Sequence, residues 1–292
     1  MISFPEYACP YARKLAAASK RFRLQVDASP EANLSDDSDK YSSDPFGELA
    51  NAAHCHGLRQ RFEDRVLVMT SDRCFMNCRH CTRRGILGKS EIVETQAQLD
   101  KCVEYVASHP KVRDVLLSGG DILTLPDEKV LAFVDAFARL DQIDIVRVCT
   151  RAVCVNPERI TSRLARRLGE SGKVWVNTQF NSADEVTAEA VEATLRLRKE
   201  AINVSCQTVL LKGVNDSTAE MLELFRALTK AGIRPYYVFM CDPIAGIERF
   251  RVDIETAKRI ERECAQSIGG LAMPRFVTDL PGAKRKLPVC EL

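Results

Sequence analysis

Apolar positions change their period along this chain. From residue 64 onward, short runs rich in β-branched residues alternate with longer stretches in which apolar residues recur every three or four positions. The short runs predict strands over 65–70, 114–117, 143–149, 174–180, 202–210, 234–240 and 275–277, and the periodic stretches predict helices over 95–108, 127–140, 157–170, 183–200, 217–231 and 254–268. Asn156 before Pro157 and Asp253 before Ile254 are residue types that cap helices. The repeat of roughly 30 residues is the size of a strand, a turn and a crossover helix. Six or seven such units imply an α/β protein with a parallel sheet covered by helices, either doubly wound or closed as a barrel.

Ahead of these units, an amphipathic stretch over 11–26 predicts an N-terminal helix with Leu15, Phe22 and Leu24 among its apolar positions. Residues 28–44 are polar, with many Ser and Asp, and read as an exposed loop or linker. The expected division is an N-terminal helical and loop extension over 1–60 and the repeat over 61–292. In parallel β/α folds, ligands gather at the C-terminal ends of the strands. The polar features fall there: Ser118-Gly119-Gly120-Asp121 after the second strand, Gln179 at the end of the fourth, Gln207 in the fifth, Asp242 after the sixth and 279–286 after the last.

Composition narrows the class. The 292 residues are 46% hydrophobic, enough for one sizeable core, and the net charge of +2 provides no field for nucleic acid or membrane. No apolar run is long enough to span a bilayer, and Met1-Ile-Ser-Phe-Pro5 lacks the basic start and apolar centre of a signal peptide, so a reducing cytoplasm is expected.

Of the 12 cysteines, nine are scattered singly, many in apolar segments where a thiol behaves as a small hydrophobe. Cys74, Cys78 and Cys81 differ, because CxxxCxxC collects three thiolates on one loop directly after the first strand. Three thiolates hold three irons of a cubic iron-sulfur cluster and leave the fourth iron without a protein ligand. Electron carriers close all four positions and structural zinc takes four ligands, so the spacing points to a cluster with an open iron.

The CxxxCxxC loop followed by Ser118-Gly-Gly-Asp121 resembles the radical S-adenosylmethionine enzymes. A longer set is more specific: Cys78-Arg-His-Cys-Thr-Arg-Arg84, Asp114-Val-Leu-Leu-Ser-Gly-Gly-Asp121, Val174-Trp-Val-Asn-Thr178, Leu210-Leu-Lys-Gly-Val-Asn-Asp216, Arg234-Pro-Tyr-Tyr237 and Asp279-Leu-Pro-Gly282. In that order they resemble the lysine 2,3-aminomutase family, from about Asp44 to Val289. The architecture expected is a partial (β/α)6 TIM-type barrel with an N-terminal helical extension.

The resemblance implies a [4Fe-4S] cluster on Cys74, Cys78 and Cys81, and S-adenosylmethionine held on its open iron by Ser118, Gly119, Gly120, Asp121, Gln179 and Gln207. It implies pyridoxal 5'-phosphate held covalently by Lys286, with Arg61 and Arg65 on its phosphate, and a substrate bound by Arg83 at the carboxylate and by Asp242 and Asp279 at a side-chain ammonium. Two aspartates in one partly dry pocket repel unless a cation lies between them, so the pair selects a basic amino acid. The implied reaction is isomerisation of L-lysine to β-lysine, started by an external one-electron reductant of flavodoxin or ferredoxin type. The rival readings are an aminomutase acting on a lysine of a translation factor, and a radical enzyme on this scaffold without pyridoxal phosphate. A non-catalytic iron-sulfur carrier is a third reading, from another class; it would need a fourth cluster ligand and neither Arg83 nor the two aspartates.

Several positions depart from the family pattern. Gln179 stands in place of a common histidine, Phe62 and Phe239 in place of frequent tyrosines, and Ala283, Lys284 and Arg285 in place of glycines. Ser217 replaces a zinc-ligating cysteine and the chain stops at Leu292, so no structural zinc is expected, and the longer enzymes' assembly is not carried over, which leaves a homo-oligomer open.

Overall fold

The computed structural model of the protein describes residues 9–26, 44, 55–83, 91–280, 282, 283 and 285–292. The predicted polar loop lies outside the described residues except for Asp44.

The N-terminal stretch forms two helices where one is expected, α1 (Pro10–Ala18) and α2 (Lys20–Val26). The break is Ser19, whose backbone is extended and whose hydroxyl accepts from Phe22 N and donates to Asp184, outside its own segment. A local hydrogen bond of this kind competes with helix continuation.

Next come β1 (Leu58–Phe62), β2 (Arg65–Ser71), α3 (Gln96–Ala107), β3 (Asp114–Gly119), α4 (Asp127–Ala138), β4 (Ile145–Cys149) and the short α5 (Ala152–Val155). Then follow α6 (Ser162–Gly169), β5 (Val174–Thr178), α7 (Ala188–Lys199), β6 (Asn203–Leu210), α8 (Thr218–Lys230) and β7 (Arg234–Met240). The chain finishes with α9 (Ile254–Ser267), β8 (Arg275–Thr278) and β9 (Leu287–Pro288).

The nine strands make one sheet in sequential order. Strands β2 to β8 run parallel, joined by helical crossovers, while β1 and β9 pair antiparallel at the two edges. The two edge strands are not paired with each other, so the seven parallel strands fit the partial barrel expected from the family resemblance. The edge strands escape sequence reading because β9 is only two residues long and β1, with Arg59, Gln60 and Arg61 at its centre, straddles the expected boundary at residue 60.

Capping explains where the helices start. Thr95, Thr161, Thr187, Ser217 and Asp253 each accept a backbone N–H three residues on, and Thr95 forms a full capping box with Gln98. Asp253 is the cap expected of it, whereas Asn156 makes no side-chain cap. The helix expected over 157–170 is instead a 3₁₀ turn at Pro157–Arg159 followed by α6 behind Thr161, and the helix expected over 183–200 divides in the same way behind Thr187.

Along β4, Val146 and Val148 are buried while Ile145, Arg147 and Cys149 are half-buried, the alternation of a strand with two different faces. The buried set packs with Leu15, Ala16 and Phe22 of the N-terminal helices in one core. On the other face Arg147 Nε donates to Asp114 Oδ1 at 3.0 Å. Among the described residues no helix is long and apolar enough to cross a membrane.

Phe22 is fully buried where α2 meets the sheet domain. Phe22→Ala is expected to lower unfolding free energy by roughly 3–5 kcal/mol in a urea titration, the range for a large aromatic removed from a packed core.

Candidate active site

The cysteine loop leaves β2 and is gripped from two sides. On one side is the glycine edge: Gly120 N donates to Ser71 O at 2.6 Å, and Asp121 N to Arg73 O at 2.7 Å. A Cβ on Gly120 would stand 2.2 Å from Arg73 O, and one on Gly119, whose φ is +110°, would stand 2.5 Å from Ser71 O. These glycines are therefore required by the contact between two protein backbones. Asp121 is equally committed, since its carboxylate accepts from Thr150 Oγ1 (2.6 Å), Arg151 N (2.8 Å) and Leu123 N (3.0 Å).

On the other side are the N-terminal helices. Cys9 N donates to Phe75 O (2.9 Å), Arg79 N to Gln25 O (2.9 Å) and Arg79 Nη1 to Leu24 O (3.0 Å). A segment read from sequence as an extension thus holds the loop in shape.

Among the described residues no three His, Cys, Asp or Glu side chains stand as ligands to a single metal ion. The three loop thiols are nonetheless electrostatic neighbours: burial first, then Cys78 and Cys81, push the Cys74 thiol well above its ordinary pKa. A polynuclear iron group would suit a thiol so placed, because its positive charge offsets the cost of forming the Cys74 thiolate. His80, inside the loop, is held neutral, its pKa pushed down to about 3 by burial and by Arg151. Its Nε2 accepts from Asn181 Nδ2 at 3.3 Å, which leaves the proton on Nδ1, a buried atom with no hydrogen-bond partner.

Behind the loop runs a buried polar network that the sequence does not announce. Arg151 Nη1 donates to Cys78 Sγ at 2.9 Å, and its Nη2 donates to Gln25 Oε1 (2.7 Å) and Glu185 Oε2 (2.9 Å). Gln25 Nε2 donates to Glu185 Oε1 at 2.7 Å, and Asn181 Nδ2 to Gln25 Oε1 at 2.9 Å. Gln179 Nε2 lies 2.9 Å from His80 Nε2, so it reaches the cysteine loop through that ring. Gln207 is half-buried beside a bulge in β6. Arg83 Nη1 approaches Ser118 Oγ at 3.4 Å, which puts the expected carboxylate reader at the glycine edge.

A second cluster forms where β8 turns back into β9. The register pairs Thr278 with Leu287, so the next residues, Asp279 and Lys286, face each other across the hairpin. Lys286 Nζ donates to Asp279 Oδ2 at 2.7 Å. Arg61 joins the same carboxylate, its Nη2 2.8 Å from Asp279 Oδ1 and 2.6 Å from Leu280 O. The 2.8 Å approach is an ion pair without hydrogen-bond alignment, since Oδ1 has no hydrogen-bond partner. Lys286 Nζ lies 4.9 Å from the Phe239 ring centre and 5.8 Å from that of Phe62, and Arg65 lies 4.1 Å from the Phe62 ring while pairing with Asp64. Pro281 and Lys284 lie outside the described residues.

Asp242 completes this cluster from the end of β7. Its pKa is pushed up to about 7, first by burial and then by Asp279, against the opposing pull of Lys286, Arg61 and Arg251. Its Oδ1 is buried without a hydrogen-bond partner. The structure therefore brings Asp242, Asp279, Lys286 and Arg61 together, and separately brings Arg83 and Ser118 to the cysteine loop.

Comparison with known proteins adds an independent line. A family profile described as the Radical SAM superfamily matches residues 68–241. The chain is 38% identical over 271 residues to an L-lysine 2,3-aminomutase of Fusobacterium nucleatum, covering 93% of this chain and 64% of that protein. It is 36% identical over 267 residues to a putative L-lysine 2,3-aminomutase of Aquifex aeolicus, covering 91% of this chain and 72% of that protein. Among solved structures, Streptococcus suis SuiB bound to S-adenosylmethionine superposes with a TM-score of 0.56 at 14% identity, over 75% of this chain and 50% of that one. The chain spans between 56% and 64% of the length of three of the curated relatives it matches.

Because Gly120 has backbone against it, Gly120→Ala is expected to cost on the order of 1–3 kcal/mol or more. The measurement is a melting curve alongside iron bound per chain after anaerobic reconstitution, and both should fall below wild type.

Proposed function

The chain belongs to the Radical SAM superfamily and, within it, to the lysine 2,3-aminomutase family, and from that premise we propose that it moves the α-amino group of L-lysine to the β carbon. Cys74, Cys78 and Cys81 would hold the [4Fe-4S] cluster, a fit supported by the closeness of Cys78 and Cys81 to the Cys74 thiol and by an unpartnered buried His80 Nδ1 in the same loop. S-adenosylmethionine would lie at the glycine edge, near Ser118 and Arg83, with Gln179 and Gln207 completing its surroundings. Pyridoxal phosphate would take Lys286 as its covalent partner, with Arg61 and Arg65 as the cations for its phosphate. When bound, these groups supply a hydrogen-abstracting radical and an aldehyde for the migrating nitrogen.

The remaining work belongs to the chain's own residues. Arg83, a planar guanidinium, orients the substrate carboxylate. Asp242 and Asp279 take the far ammonium, and the observation that carries this reading is the state of that acid pair. Lys286 places its own ammonium on Asp279, while burial and Asp279 push the Asp242 pKa up to about 7. A lysine side chain engaged elsewhere leaves a site that asks for another primary ammonium, and the ε-ammonium of the substrate has that chemistry. A glutamate side chain would add a third negative charge to the same pocket. An external one-electron donor and a cytoplasmic location complete the proposal.

Reconstituted enzyme given each basic amino acid with S-adenosylmethionine and a reductant should convert lysine faster than arginine or ornithine, with β-lysine identified by mass spectrometry. Lys286→Ala should lose both turnover and the visible absorbance that pyridoxal phosphate gains on binding the wild type. Unchanged absorbance in that variant would remove the covalent role of Lys286.

A pH dependence follows from Asp242. The cationic side chain binds the ionised carboxylate, so below about pH 7 a proton must leave first. Lysine affinity of the holoenzyme should therefore weaken as pH falls from 8 to 6, approaching about tenfold per unit. Asp242→Asn should bind lysine weakly and with no such slope.

A further inference from the structure

The contact of Arg151 with the cysteine loop has no counterpart in the roles assigned above. We propose that Arg151 is a positioning residue for the cluster that raises its reduction potential, through an N–H···S hydrogen bond to Cys78 whose strength is set by Glu185. This rests on the cluster-binding part of the proposed function and is independent of which amino acid is the substrate.

Arg151 follows β4, its backbone N–H held by Asp121 Oδ2 at 2.8 Å, and its guanidinium lies 5.7 Å from the Phe22 ring centre. One terminal nitrogen faces the Cys78 sulfur at 2.9 Å, and the other is divided between Gln25 and Glu185. Arg151 is 8% exposed, and Gln25 and Glu185 are not exposed at all. Nη2 alone meets both Glu185 and Gln25, Nε is buried without a hydrogen-bond partner, and Nη1 is aimed at a cluster ligand.

A donor aimed at a ligand sulfur stabilises the state with more electron density on that sulfur, which is the reduced cluster. In a dry site the effect is large, because no water screens the guanidinium. Glu185 opposes it, since its carboxylate draws the positive charge away from Cys78. The two residues act on the same sulfur with opposite signs, and the neutral Gln25 ties both to α2.

The test is the midpoint potential of the cluster in full-length protein, reconstituted anaerobically with ferrous iron and sulfide and titrated with dithionite under electron paramagnetic detection. Arg151→Met should shift the midpoint to a more negative value, Arg151→Lys should shift it less, and Glu185→Gln should shift it to a more positive value. Opposite shifts are not what general loosening of the fold produces. An Arg151→Met midpoint equal to or above wild type overturns the proposal, as does a Glu185→Gln midpoint equal to or below it. If Arg151→Met takes up no iron, Arg151→Lys and Glu185→Gln decide by the same signs. Wild-type protein that binds no iron would overturn the cluster reading itself, whereas an intact cluster without lysine turnover would count only against the aminomutase reading.

Discussion

The close approach of two backbones, the exit of β2 and the end of β3, is the constraint from which the candidate centre is built. Ser71 and Arg73 offer carbonyls to the amides of Gly120 and Asp121 at 2.6 and 2.7 Å, an approach that leaves no room for a Cβ at Gly119 or Gly120. This fixes the direction in which Cys74 leaves the sheet. The Asp121 carboxylate then accepts from Thr150 and Arg151, which also ties the end of β4 to the end of β3. Parallel strands present their C-terminal ends together, and the glycine edge turns that shared rim into a fixed platform.

Opposite that platform, the loop is closed by parts of the chain far away in sequence. Helix α2 accepts from Arg79 through Leu24 O and Gln25 O, and the Gln25 side chain reaches Arg151, Glu185 and Asn181. A buried charge such as Glu185 is costly unless paired and fully hydrogen-bonded, and here it accepts from Arg151, Gln25, Asn181 N and Ser182. Holding the network intact therefore holds the cysteine loop, the N-terminal helices and the fourth and fifth strands in one arrangement.

The second polar centre follows a different logic. Asp242 is buried and Asp279 half-buried, and the cations of the centre stand on Asp279, Arg61 directly and Lys286 across the β8–β9 hairpin, from where their charge also acts on Asp242. The hairpin register explains why a lysine seven residues on from Asp279 meets it, and the aromatic rings of Phe62 and Phe239 wall the ammonium. Positive and negative groups are thus concentrated where an amino acid and an anionic cofactor would both need partners.

Much of this was legible without a structure. The period change marked every parallel strand, the CxxxCxxC spacing and the Ser-Gly-Gly-Asp edge stand out locally, and the acid pair was expected from the family resemblance alone. These are local signals: alternation, capping chemistry and ligand spacing are each written within about ten residues. What stayed hidden is long-range. Arg151 reads as an ordinary loop arginine, Glu185 as a helix acid and Gln25 as a surface amide, because their partners lie as far as 160 residues away. The break at Ser19, decided by Asp184, and the meeting of Lys286 with Asp279 through an antiparallel register belong to the same class. Sequence by itself determined the repeat, the sheet and the residue types able to do the chemistry. Only the tertiary structure decided which polar groups are buried together, because pairing energies depend on distance and desolvation, and neither is a property of neighbours along the chain.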